Sequence, residues 1–294
     1  SNGMDKGELV GIQTGDVTKM TTFEEFFDAY KKQMEYCISL MVNADNAIDV
    51  AHSERVPLPY ESCMVDDCLS RGLSVQEGGA VYNFTGPQGF GIANMADSLY
   101  AIRKLVYEDK KVSMEEYKQA LAWNYDKGLD QQSVSDMSEM ILKGMQDAGM
   151  AVNTDTAKAV LQTVMRLKPT EEQLRRFTEI HHMIDEVPKF GNAIDDVDYF
   201  ARDVAYTYSR PLQKYMNPRG GHYQAGLYPV SANVPLGGQT GATPDGRYAH
   251  TPVADGVSPS AGKDVKGPTA AATSVSRLDH FIVSNGTLFN QKFH

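Results

Sequence analysis

The stretch GLSVQEGGAVYNFTGPQGFG, residues 72–91, constrains the fold more than any other part of the chain. Glycines and a proline surround one short apolar run, Ala80–Phe84, and a helical pattern follows from about Ile92 to Glu108. This reads as a strand entering a glycine-rich loop that opens a helix. Glycine at that density marks places where backbone turns tightly or approaches something closely. The same style returns from Asn217 onward, first as NPRGGHYQAGLYPVSANVPLGGQTGATPDGR and then as ADGVSPSAGKDVKGPTAAATSV. Both segments read as loop, short strand, loop.

Between these stretches the chain is helical. Thr22-Phe23-Glu24-Glu25 fits a capping box, in which the threonine oxygen accepts from the Glu25 amide and the glutamate reaches back. Phe26, Phe27, Tyr30, Met34, Cys37, Ile38, Met41 and Val42 then recur at helical spacing, predicting a helix to about His52. Pro57 and Pro59 end it, and a short helix is expected around Tyr60–Arg71. Ser113-Met114-Glu115-Glu116 opens another helix to Tyr125, and Thr170-Glu171-Glu172-Gln173 is a third cap. Residues 129–187 read as polar amphipathic helices whose Glu172, Arg175, Arg176, Glu179 and Asp185 form a solvated face. A long helix is expected over about 194–216. Alternating helices and short buried strands predict an α/β architecture.

Charge and cysteine usage narrow the function classes. A formal net charge of −10 argues against binding nucleic acid or anionic lipid through bulk electrostatics. Over 294 residues, 41% are hydrophobic and 22% charged, which fits a soluble globular protein with a sizeable core. No apolar run approaches a membrane span, and no signal peptide opens the chain. Cys37, Cys63 and Cys68 are too few and too irregular for a disulfide framework or a zinc site, so a reducing cytosol is expected. The chain opens Ser1-Asn2-Gly3 and stops at Asn290-Gln291-Lys292-Phe293-His294, and these ends read as cut, so a fragment is expected.

Several segments carry polar groups in suggestive places. Asn83–Gly91 looks at first like a phosphate loop, but it matches neither G-x-G-x-x-G nor G-x-x-x-x-G-K-[ST] and has no lysine. It is either a tight strand-to-helix turn or an active-site wall presenting Asn83, Thr85 and Gln88; a phosphate-binding transferase is the remote reading. Tyr228–Gly237, read as an alternating strand, puts Ser231 and Asn233 on one face, where they suit a small neutral or anionic ligand or form a solvated edge. Pro244-Asp245-Gly246-Arg247 is a turn signal, with Arg247 expected to pair with Asp245 or Asp255. His222 is a candidate acid or base without an assignable partner. His181 and His182 are expected on a solvated helix face. Asp195, Asp196 and Asp198 are better explained as acids at a helix N-terminus than as a metal site.

Three segments in order carry a resemblance. EGGAVYNFTGPQGFG (77–91), GLYPVSANVPLG (226–237) and TPDGR…ADGVSPS…KGPTAAATSVSRLDHFIVSNGTLFNQKF (243–293) resemble the pyruvate-formate-lyase domain of glycyl-radical enzymes. The subgroup holds glycerol and hydroxyproline dehydratases, choline and isethionate lyases, and arylacetate decarboxylases. The resemblance implies a helix-rich part of a ten-stranded α/β barrel of the pyruvate-formate-lyase type, spanning residues 1–294. It implies two loops meeting inside the barrel: a cysteine in a Gly-Cys-Val-Glu-like motif and a glycine in an Arg-Val-x-Gly-Tyr-like motif. An S-adenosylmethionine iron–sulfur activating enzyme installs the glycyl radical, which makes a thiyl radical that takes hydrogen from a small-molecule substrate. No cysteine here is followed by Val-Glu or Val-x-Glu, and no Gly-Tyr dipeptide occurs, so both loops and the glycyl-radical domain are expected outside this chain.

The resemblance places the strand of Ser231 and Asn233 along the substrate cavity, with Asn83 and Thr85 near it, no metal, and no cofactor bound directly. A full-length homodimer is implied. The helical stretch 129–187 is longer than the corresponding link in glycerol dehydratases and inclines the reading to an arylacetate decarboxylase. The alternatives are a glycerol- or diol-type dehydratase, a choline- or isethionate-type lyase, and, outside enzymes, a truncated non-catalytic binding module.

Overall fold

The computed structural model describes residues 4–5, 8–128, 131–166 and 168–291; Ser1–Gly3 and Lys292–His294, which frame the reading of the ends, lie outside them. So do residues 129, 130 and 167 of the long helical stretch. The described residues form α1 (Phe23–Arg55), α2 (Pro59–Met64), α3 (Cys68–Arg71), α4 (Ile92–Ile102), α5 (Met114–Ala122), α6 (Gln131–Asp147), α7 (Thr154–Arg166), α8 (Glu171–Glu186), α9 (Asp195–Leu212), α10 (Asn233–Gly238) and α11 (Pro268–Ser276). Paired strands among the described residues are β1 (Met4–Asp5) and β2 (Glu8–Leu9).

The three predicted capping boxes are present: Thr22 with Glu25, Ser113 with Glu116, and Thr170 with Gln173. A fourth, Ser74 with Glu77, closes a short 3-10 turn. α1 outruns the expected His52 by three residues because the Val56 amide still bonds the His52 carbonyl before Pro57 stops the helix. α5 stops before Tyr125. Asn124 and Tyr125 take left-handed backbone (φ 50° and 56°), which drives the Tyr125 ring into the core with its hydroxyl on the Thr243 carbonyl at 2.7 Å. α9 is shorter than expected and ends one residue past Pro211.

The core is built on α4, whose residues are buried nearly all round, as suits an apolar helix enclosed by neighbours. α9 and α1 pack against it. Phe23, Phe27, Tyr100, Tyr107 and Phe200 form one aromatic cluster, with Phe27 and Phe200 centroids 5.7 Å apart. α4 continues as a π-helical segment, Arg103–Glu108, in which Glu108 takes Arg103 and Lys104 at 2.6 Å each. α6 and α7 pack on each other as a helical hairpin.

The expected strands are not extended ladders. Ala80–Phe84 turns instead: the Arg71 guanidinium holds the Gly79 and Ala80 carbonyls, and the Asn83 amide folds back onto Ala80 at 2.6 Å. Parallel pairing is confined to isolated bridges, Thr85 with Tyr223, Gln88 with Gly226, and Leu227 with Thr287. The middle segment therefore lies between two parallel neighbours. Gln224 and Gly226 bond the Thr85 and Pro87 carbonyls on one side, and Leu227 and Leu288 exchange with residues 286 and 227 on the other. Frequent glycine and proline keep these runs from lengthening into regular strands. Among the described residues the architecture is helix-rich with a short parallel core, not a closed barrel.

Candidate functional site

The four predicted pocket residues do not converge. Thr85 sits in the first parallel segment, with its amide on the His222 carbonyl at 3.1 Å. Its hydroxyl accepts from Asn217 at 2.9 Å and Arg219 at 3.4 Å. Asn83 is drawn to the same knot, since Asn217 also holds its carbonyl at 2.5 Å, while its own side chain is committed to Gly78 and Ala80. Arg219 meets Asp49 of α1 at 2.8 Å, so this cluster ties the loops to a helix, and the Asn83 side-chain oxygen is left buried without a hydrogen-bond partner among the described residues.

Ser231 and Asn233 do not share a strand face. The chain turns after Pro229, with Val230 in left-handed backbone (φ 54°), and enters α10 at Asn233. Pro235 lies in the first turn of that helix, where it forfeits no hydrogen bond. Gly237 allows α10 to press on residues 251–253, where a Cβ would overlap the Pro252 and Val253 backbone. Ser231 is left exposed; Asn233 is half-buried, with its side-chain amide 3.3 Å from the Val253 carbonyl.

Asn233 does line a cleft of about 830 Å³ between α4, α8, the 243–247 turn and the 251–264 loop. Asn94 organises its floor. It donates to Asp245 at 2.6 Å and accepts from the Ala254 amide at 2.6 Å. Asp245 also takes the Thr243 hydroxyl at 2.5 Å, so Arg247 turns away and binds backbone carbonyls of residues 240, 241, 248 and 251 instead of the expected carboxylate. His181, expected in solvent, is packed between Tyr125 and Tyr248 with its ring 2.8 Å from the Gly246 carbonyl. Below the floor, burial pushes the Asp97 carboxyl up and the Lys189 ammonium down. Asp97 keeps one oxygen on the Phe190 amide at 2.8 Å, and Lys189 donates to the Ile184 carbonyl at 2.5 Å. Asp195, Asp196 and Asp198 behave as expected of first-turn acids: Arg277 takes Asp195 and Asp198, and Asp196 takes Tyr100 and Arg103. Among the described residues no group of His, Cys, Asp and Glu is arranged to hold a metal.

A second polar group lies on the three parallel segments, and sequence reasoning missed it. Asn285 donates its amide to the Tyr228 hydroxyl at 2.7 Å. The phenolic proton of Tyr228 and the carbonyl oxygen of Asn285 meet no protein group among the described residues. Val230, two residues on, is 76% exposed in a backbone region that β-branched residues rarely adopt. Strain of this kind concentrates at ligand-binding positions.

The comparisons with known proteins bear on this arrangement. Residues 1–237 match the family described as Pyruvate formate lyase-like, and residues 253–294 the family described as Glycine radical. A solved structure titled for 1,2-propanediol dehydration in Roseburia inulinivorans is 61% identical, with TM-score 0.95, covering 98% of this chain and 34% of that one. A glycerol-bound, B12-independent glycerol dehydratase from Clostridium butyricum is 46% identical, with TM-score 0.78, over 99% of this chain and 31% of that one. The probable dehydratase YbiW of Escherichia coli is 35% identical over 278 residues, 92% of this chain and 29% of its own. A 4-hydroxyphenylacetate decarboxylase glycyl radical subunit of Clostridioides difficile stands at 27%. These matches favour the dehydratase alternative over the inclination to a decarboxylase: the match over 98% of the chain takes in residues 129–187, so their length accompanies a dehydratase as well. The chain spans about a third of the length of the relatives it matches. It belongs to the pyruvate formate lyase-like family of glycyl-radical enzymes.

Proposed function

We propose that this chain is part of a glycyl-radical dehydratase that removes water from a small vicinal diol. The 61% identity to the Roseburia inulinivorans protein, across 98% of the chain, carries the reading. A hydroxyl-bearing substrate also suits Tyr228 and Asn285, which leave one donor and one acceptor unspent and bring no charge. On this reading residues 1–294 supply part of the ten-stranded barrel and of the substrate-facing wall. The reactive cysteine and glycine are supplied by other segments, since neither motif occurs here. The radical, installed by an S-adenosylmethionine iron–sulfur activating partner, supplies hydrogen-atom abstraction. The residues of this chain orient hydroxyls and keep bulk water from the reacting carbon. Asn233 borders the wall through α10, while Asn83 and Thr85 hold the first parallel segment in place. A homodimer in the cytosol completes the proposal.

The test uses the full-length protein with its activating partner, anaerobically, on 1,2-propanediol, glycerol and 4-hydroxyphenylacetate. The expected product is the aldehyde formed by loss of one water from a diol. Release of carbon dioxide from the arylacetate, with diols untouched, would overturn the proposal.

A further inference from the structure

The Asn285 side chain occupies a space cleared for it from two directions. A Cβ on Gly86, in the first parallel segment, would overlap the Asn285 amide. A Cβ on Gly226, in the middle segment, would come within 3.0 Å of its nitrogen and 2.5 Å of the Tyr228 ring. Asn285 itself sits at the start of the third segment, with its backbone amide on the Ala225 carbonyl at 3.0 Å. One residue from each segment thus meets at a single amide. Two of the three lack a side chain where one would collide with it.

The chemistry of the contact is directional. The Asn285 NH₂ donates to the Tyr228 oxygen, which fixes the phenol in place and leaves its own proton available. We propose, resting on the diol-dehydratase reading, that Asn285 is a positioning residue: it orients Tyr228 so that the phenol donates to one substrate hydroxyl. The Asn285 carbonyl oxygen accepts from the neighbouring hydroxyl. Together they form a donor–acceptor pair matched to a vicinal diol. A monohydric alcohol engages half of it.

A change of donor direction separates positioning from plain support. Asn285→Asp keeps an oxygen at the same place but accepts the Tyr228 proton, so the phenol stays anchored and can no longer donate to substrate. Asn285→Ala removes the anchor. Gly86→Ala displaces it without touching either polar residue. Each variant is made in the full-length protein, activated, and read by three measurements: glycyl-radical content by electron paramagnetic resonance, thermal stability, and kcat and KM for 1,2-propanediol.

The expected result is undiminished radical in all three, with KM raised about tenfold in Asn285→Asp and Asn285→Ala, as for the loss of one hydrogen bond, and kcat changed less than twofold. Combining Tyr228→Phe with Asn285→Ala raises KM by less than the two single effects multiplied together, because the part of the Asn285 effect that acts through Tyr228 is already lost, and only its own bond to the substrate hydroxyl adds to the loss. A wild-type KM in Asn285→Asp assigns the amide to support only and overturns the proposal, as does additivity of the two substitutions. If the wild-type protein carries the radical and leaves diols intact, the dehydratase reading itself fails, and the pairing with a diol fails with it.

Discussion

Replacing Asn94 by alanine should be among the most damaging single changes available in this chain. The side chain is 6% exposed and makes two bonds of 2.6 Å, one to the Asp245 carboxylate and one from the Ala254 amide. Its partners are 3% and 5% exposed, so water cannot replace it. Alanine removes a hydrogen bond to a charged group and strands a buried N–H, each worth about 1.5–3 kcal/mol, for a total of about 3–5 kcal/mol. For a chain of this size that corresponds to a fall in Tm of roughly 6–12 °C. Urea unfolding followed by far-UV circular dichroism measures it. Asn94→Asp is the sharper variant. It keeps an acceptor for Ala254 but places a second carboxylate against Asp245, so it should lose more than alanine at neutral pH and recover part of the loss in acid, where the pair shares a proton. A loss below about 1 kcal/mol for alanine, or an aspartate variant indifferent to pH, would refute the idea that this residue pins the 243–247 turn to the 253–255 strand of loop.

Three further outcomes follow from the packing and the charges. Gly221→Ala should cost several kcal/mol, because its Cβ would overlap the Asn83 carbonyl and the Phe84 amide, both backbone, whereas Gly238→Ala, with open space around it, should stay within about 0.5 kcal/mol; thermal melts of the two compare them directly. The Ser113 amide, with the Ser113 hydroxyl and Arg176, holds the Glu116 carboxyl below the usual 4.5, so its contribution is complete above pH 4.5 and is lost as pH falls through the lower folded value; Glu116→Gln should flatten the acid limb of Tm against pH and leave the neutral limb parallel. Asp97→Ala should destabilise by about 2 kcal/mol by stranding the Phe190 amide, and Asp97→Asn, which keeps the acceptor, should recover most of it in chemical denaturation.

What was legible in the sequence is what depends on neighbours a few residues away. The boxes at Thr22, Ser113 and Thr170 were readable because a cap is satisfied within one turn. The first-turn acids of α9 were readable for the same reason. His181 was misjudged because Tyr125 and Tyr248, which enclose it, arrive from distant parts of the chain. The segment 228–236 was misjudged because alternation of polar and apolar residues cannot reveal Val230 in left-handed backbone; a proline at the third position of a new helix was the signal available. Tyr228 and Asn285 escaped notice because their partnership spans 57 residues. The family resemblance succeeded where local chemistry ran out, while the length of one helical stretch did not separate decarboxylase from dehydratase, because a dehydratase relative matches across it.

The parallel segments have a consequence in time rather than in space. Each makes its parallel pairing with a partner far along the chain; the Asn217 link to Asn83 crosses 134 residues. A local turn ties the Tyr223 amide to the Tyr215 carbonyl at 3.2 Å, but the parallel pairing of residues 224–227 waits until α4 and α9 have met, since loop closure must come first. These parallel segments are therefore the last part to assemble during refolding. With few bonds per segment it should also be the first to open in the native state. Amide hydrogens of Gly89, Gln224 and Leu227 should exchange well before those of α4, and a bound diol should slow them.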